Sequence, residues 1–146
     1  MAFCEIKLSE ESDLVTVKGV GTDNERLEKV YALLEESGFK PWTVCRCEVF
    51  RNSSDMTFLI PTGRLCELLD MIKKLKKTTP RLTSLIRTGV VKIDLTCDNG
   101  IDFLNRLLKN KDFPKPEFIC ASERKIELIF ENYDAPSAMG IISRLT

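Results

Sequence analysis

The chain has 146 residues, 22 basic and 22 acidic, with 43% hydrophobic and 30% charged side chains and no histidine. That length fits one ordinary domain or two very small ones, and the composition is that of a folded globular chain. Zero formal net charge argues against a nucleic-acid partner, which needs a basic excess, and the missing histidine removes Ser-His and Cys-His nucleophile pairs and the commonest metal ligand.

In chain order, Phe3–Leu8 alternates apolar and polar residues and reads as a short strand. Leu14–Lys18 alternates too and runs into Gly19 and Gly21, a strand entering a strand-to-helix turn. Thr22, Asp23, Asn24 and Glu25 supply N-cap candidates and first-turn acids. Leu27, Val30, Tyr31 and Leu34 then recur at helical spacing as far as Gly38, a suitable C-cap. Trp42–Phe50 is rich in strand formers, Arg51–Asp55 is turn-like, and Met56–Ile60 is the returning strand of a hairpin. Leu65, Leu68, Leu69, Ile72 and Leu75 mark a second amphipathic helix, whose basic end, Lys73–Lys77, complements the helix dipole. Leu82–Ile86 is a further short apolar segment.

The second half follows the same plan. Val90–Cys97 alternates, with Val91, Ile93, Leu95 and Cys97 on one face, and Asp98–Gly100 is a turn or cap. Ile101, Leu104, Leu107 and Leu108 form a third helical stripe, read as core. Glu117–Cys120 and Lys125–Phe130 make another hairpin pair. Asp134 is placed to cap a last helix, with Pro136 in its first turn and Met139, Ile142 and Leu145 on its apolar face. The halves align: Leu27, Val30, Leu33, Leu34 and Phe39 match Ile101, Leu104, Leu107, Leu108 and Phe113 at a constant offset of 74. Lys40 matches Lys115 at 75, and Thr57–Ile60 matches Glu127–Phe130 at 70, so the drift falls in turns.

Each half is thus βαββα and needs one more strand to complete βαββαβ, the split-βαβ ferredoxin-like pattern. Leu82–Ile86 is assigned to the first half and Phe3–Leu8 to the second. The expected fold is α+β: two ferredoxin-like βαββαβ units packed side by side, residues 9–87 and residues 88–146 plus 1–8, with the N-terminal strand exchanged to complete the second unit. Each half alone, about 70 residues, is marginal for independent stability.

No stretch approaches the roughly 18 apolar residues of a membrane span, and Met1–Glu11 lacks the basic start and apolar block of a signal peptide. The chain is expected in the cytoplasm, with no membrane partner. Its cysteines, Cys4, Cys45, Cys47, Cys66, Cys97 and Cys120, include no C-x-x-C and are read as free thiols serving as small hydrophobes. Neither a metal nor another cofactor is expected. A redox role for Cys45 and Cys47 is the lesser reading, because no base or cationic cluster accompanies them.

Three segments carry a family resemblance. Leu14–Gly21 followed by a capped helix resembles the first strand and effector loop of ACT domains. Asp55–Pro61 with Leu65–Leu75 is similar to the third strand and second helix of the first ACT unit of aspartate kinases, and Ala121–Ile126 to the hairpin of their second unit. Phe3–Leu8 falls where those kinases carry a strand exchanged between units. The resemblance spans almost the whole chain and rests on the order and spacing of the motifs together.

The resemblance implies a non-catalytic, amino-acid-sensing regulatory module. It would bind a small amino acid of the threonine or lysine class at an ACT interface, form a homodimer through its ACT units, and control a kinase catalytic domain or subunit. No counterpart of the kinase's phosphate-binding segment occurs, and Gly19–Gly21 is only G-x-G. An amino acid needs donors for its carboxylate and acceptors for its ammonium. The first helical turn at Gly100 and Ile101 offers backbone N–H groups, Asp98 and Glu123 are acceptors, Asn99 and Ser122 serve either way, and the strand edge near Ala121 adds backbone groups. Asp23 and Asn24 are the first-repeat candidates. The loop at Gly19–Glu25 keeps Asp23 but lacks the family's Pro-Gly, and Lys40 and Lys115 stand where the family commonly has Asn. Those departures carry the alternative: a structural dimerisation module of ACT fold that has lost ligand binding.

Overall fold

The computed structural model describes residues 4–21, 24–47 and 53–146. Expectations placed on Phe3, Thr22, Asp23, residues 48–50, Arg51 and Asn52 lie outside the described residues. The chain divides into two compact units, one formed by Ser12–Thr88, the other by the N-terminal residues up to Glu11 together with Gly89–Thr146.

The first unit contains β2 (Ser12–Gly21), α1 (Asn24–Ser37), β3 (Thr43–Cys47), β4 (Ser53–Pro61), α2 (Leu65–Thr78) and the start of β5 (Thr83–Cys97). Its strands run in the order β3-β4-β2-β5. β4 pairs antiparallel with both β2 and β3, with Thr57 opposite Thr16 on one side and Thr43 on the other. Val15, Val17, Met56, Phe58 and Ile60 point inward at alternating strand positions, and Val30, Leu34, Leu68, Met71, Ile72 and Leu75 meet them from the helices. α2 begins without a side-chain cap, and its last turn carries Lys76 and Lys77.

The second unit contains β1 (Cys4–Leu8), the remainder of β5, α3 (Gly100–Lys109), β6 (Phe118–Ala121), β7 (Lys125–Glu131) and, after a short 3-10 turn, α4 (Ala135–Leu145). β1 lies antiparallel against β5 with Ile6 opposite Leu95, while β7 flanks β5 on its other side with Ile126 opposite the same Leu95. β6 closes the row outside β7. The order is therefore β1-β5-β7-β6. In chain order the first unit's strands read fourth-first-third-second, and the second unit's row has the same antiparallel ferredoxin-like pattern when β1, the earliest strand, stands in the fourth place. A separate core forms here from Ile93, Leu95, Phe103, Leu107, Ile126, Leu128, Phe130, Ala138, Ile141 and Ile142.

Several local expectations change. Leu82–Ile86 and Val90–Cys97, read as separate strands, form one 15-residue strand, β5, that continues through Gly89 at φ 67°. Leu82 precedes it as a buried residue of the first core. Gly19 was expected in a strand-to-helix turn. It lies instead inside β2, at the bulge between Val17 and Val20, with φ 85°, where a Cβ would come within 3.0 Å of the Arg81 carbonyl oxygen. A left-handed bulge residue pressed on backbone explains the glycine better than a turn does. β4 starts at Ser53, within the stretch read as a turn. Two stripe residues read as core, Ile101 and Leu108 on α3, face outward, and Phe103 takes the core position; Tyr31 of the α1 stripe is also exposed. Asp134 precedes α4 but its side chain makes no cap hydrogen bond.

Candidate functional site

In the second unit the loop Asp98–Asn99 turns β5 into α3, and α3 starts against the β6–β7 hairpin. Gly100 sets how closely they approach. Its N–H donates to the Glu123 carbonyl, and a Cβ on Gly100 would overlap the Ser122 carbonyl oxygen. Asn99 caps the helix, its Oδ1 accepting from the Asp102 N–H at 3.2 Å. The Cys97 N–H donates to the Arg124 carbonyl at 2.8 Å and ties the end of β5 to the same hairpin.

The hairpin is held by Ser122. Its N–H donates to the Lys125 carbonyl at 2.8 Å, and its Oγ accepts from the Lys125 N–H at 3.2 Å. Lys125 Nζ lies 2.7 Å from Glu127 Oε1. That hydrogen bond and the Glu127 charge raise the Lys125 pKa above its ordinary 10.5. The sequence reading did not single out Lys125 or Glu127. The i, i+2 placement of opposite charges on one strand face was the available signal.

The structure thus brings together Asp98, Asn99, Gly100 and Ile101 with Ser122 and Glu123, and places Ala121 as the last residue of β6 beside them. Asp98, Asn99, Ser122 and Glu123 are exposed, Gly100 is buried, and Ile101 is half exposed. Of the first-turn N–H groups expected to face a carboxylate, those of Gly100 and Asp102 are engaged within the chain. In the first unit Asn24 is the exposed first residue of α1; Asp23 lies outside the described residues. Lys40 and Lys115 are both exposed. A cavity of about 220 Å³ opens between the end of α1 and α2, lined by Leu33, Glu36, Phe39, Asp70, Met71 and Lys74, at the far end of α1 from Asn24. Above it the Arg64 guanidinium stacks 4.7 Å from the centre of the Phe39 ring.

The cysteines correct the expectation of buried free thiols. Cys66 and Cys120 are free but exposed, and Cys97 is buried and disulfide-bonded. Cys45 and Cys47 stand two apart in β3. Among the described residues no group of three or more acidic or cysteine side chains is placed to hold a metal ion, and no helix is long and apolar enough to cross a membrane.

Two units with matching antiparallel strand order define the class, a tandem ferredoxin-like module. Solved structures narrow it further. The regulatory subunit of aspartate kinase from Thermus flavus superposes with a TM-score of 0.75 at 14% identity, over 95% of each chain. The ligand-free regulatory subunit from Thermus thermophilus gives 0.75 at 15% identity, over 96% of each chain. E. coli aspartokinase III in complex with lysine and aspartate gives 0.66 at 17% identity, over 94% of this chain and 31% of that one. No protein-family model and no curated protein matches the sequence. The chain has the fold of aspartate kinase regulatory domains over nearly its whole length.

Proposed function

We propose that this chain is a non-catalytic, amino-acid-sensing regulatory module. It binds a small amino acid of the threonine or lysine class at an ACT interface, works in the cytoplasm as a homodimer, and biases the conformational equilibrium of a kinase-like partner. One observation carries the reading: the structural match to a separate regulatory subunit runs the length of both chains. The ligand-binding residues in this reading are Asp98, Asn99, Gly100, Ile101, Ala121, Ser122 and Glu123, with Asp23 and Asn24 as the first-repeat counterparts. Asp98 and Glu123 accept from the ammonium, and Asn99 and the remaining backbone N–H groups face the carboxylate. Coupling of this kind is typically worth about 1–3 kcal/mol between effector and partner.

A second reading, a structural dimerisation module of the same fold without a ligand, is favoured by the engagement of the Gly100 and Asp102 N–H groups inside the chain. A thermal-shift screen against the twenty amino acids separates the two. For the sensor, one or two amino acids raise the melting temperature, by several degrees when stabilisation reaches about 2.7 kcal/mol at a hundred times the dissociation constant. Asp98→Ala and Ser122→Ala each abolish that response. A flat screen on the folded protein selects the structural module.

A further inference from the structure

We propose that the cavity between the end of α1 and α2 is a binding site for a small aliphatic amine, an ammonium group carried on an apolar chain. The site lies wholly within the first unit. It uses none of the residues assigned to the amino-acid effector, so it goes beyond the function proposed above.

The cavity has an apolar base and a charged rim. Phe39 and Met71 are buried and Leu33 is half-buried, so hydrocarbon lines the bottom. Glu67, Asp70 and Lys74 recur at spacings of three and four and so share one face of α2. Glu36 meets them from the last turn of α1. The volume of about 220 Å³ is below the roughly 300–1,000 Å³ of drug-sized sites, so the molecule it suits is a small one with a short chain.

Three observations make the ligand a cation. The chain already seats one at the mouth: the Arg64 guanidinium lies 4.7 Å from the centre of the Phe39 ring and donates to Glu67 Oε2 at 3.2 Å. Glu36 and Asp70 are exposed carboxylates that, among the described residues, make no ion pair or hydrogen bond within the chain. α1 has no basic residue in its last turn, so its negative dipole end beside the cavity lacks a charged complement. Lys74 is the opposing charge. With Glu67 matched by Arg64, two unpaired acids face one unpaired base. An ammonium therefore gains more here than a carboxylate, and an uncharged chain leaves both acids unused.

NMR titration of the full chain with n-hexylamine, hexan-1-ol and hexanoate tests this, with circular-dichroism melts confirming that each variant is folded. The expected result is that n-hexylamine shifts the amide signals of Leu33–Phe39 and Glu67–Lys74 with a dissociation constant on the order of 1 mM. The alcohol and the carboxylate bind at least about tenfold more weakly. Glu36→Gln and Asp70→Asn each weaken the amine roughly threefold, whereas Lys74→Gln tightens it. Those opposite signs cannot arise from loss of structure, which would weaken binding in all three variants. An alcohol or carboxylate that binds as tightly as the amine overturns the proposal. Amine binding that ignores both carboxylate variants, or that Lys74→Gln weakens, overturns it too, as does a dissociation constant above about 50 mM. Nα-acetyl-lysine amide presents the same ammonium as another protein's side chain would. Binding weaker than that of n-hexylamine supports the free amine, and equal binding overturns the small-molecule assignment. The amino-acid response is read separately by the thermal-shift screen.

Discussion

Gly100 is required by its neighbours rather than by its backbone angles. Its hydrogen is the only substituent that lets the start of α3 reach the Ser122 and Glu123 carbonyls, and the clashing atoms are backbone, which cannot swing aside. Gly100→Ala is expected to destabilise the protein by roughly 1–3 kcal/mol, the usual cost of overpacking, despite alanine's better helix propensity. Urea unfolding measures it; a neutral or stabilising result would mean that the helix and hairpin are not held this close. Lys125 gives a second residue-scale prediction. Its pKa is raised by the hydrogen bond and charge of Glu127. A base whose folded pKa is raised contributes stability that is complete below the unfolded value and is lost as pH climbs through the folded one. The pair therefore contributes fully at neutral pH, and its contribution fades only above about 10.5. NMR titration of the Lys125 side chain should show a lower pKa in Glu127→Gln than in wild type. Because the lysine side chain is 55% exposed, the accompanying change in stability should be small.

At the scale of elements, β1 is the strand whose role depends most on distant sequence. It pairs with β5 more than eighty residues away, and its Ser9 extension accepts the Lys92 N–H at 2.9 Å. Ile6→Pro removes a backbone donor from β1 and wedges the pairing opposite Leu95. Hydrogen exchange should then rise in the stretch Ile93–Cys97 and remain near wild type in β4, which belongs to the other unit. Unchanged exchange at Ile93–Cys97 would show that β1 contributes little to holding β5.

Periodicity made most of these elements legible. The alternation of Val91, Ile93, Leu95 and Cys97, and the matching stripes of α1 and α3, placed the strands and helices, and the repeat supplied the topology. What periodicity cannot do is decide which of two adjacent apolar arcs on one helix faces the core. Leu27 and Ile101 align at the repeat offset, but on α3 the arc holding Phe103 and Leu107 is buried while Ile101 stays exposed. Gly19 shows a similar limit. Its neighbours read as a turn, because the close carbonyl that requires a glycine comes from Arg81, sixty residues along the chain. Asp98, Asn99 and Gly100 were legible as a helix entry through their capping chemistry. The occupation of the Gly100 N–H by Glu123 depends on a tertiary contact that no local pattern encodes.

For the whole molecule, the informative fact is that there are two cores and one strand, β5, that spans the division between the units. Phe58 lies in one core and Phe103 in the other, each with no exposed surface. Removing either ring should cost about 3–5 kcal/mol, large against the stability of units this small. If each unit is its own cooperative element, Phe103→Ala raises exchange in β6, β7 and the second part of β5 and leaves β2 and β4 protected. Phe58→Ala does the reverse. If β5 transmits the loss, both variants raise exchange throughout and show one unfolding transition. The distinction bears on regulation. In the sensor proposed above, an effector beside Gly100 would stabilise the unit that holds it, and would reach the other unit only to the extent that the two unfold and rearrange together. Hydrogen exchange of Phe103→Ala and Phe58→Ala therefore measures how much of an effector's binding energy at one unit is available to act on the other.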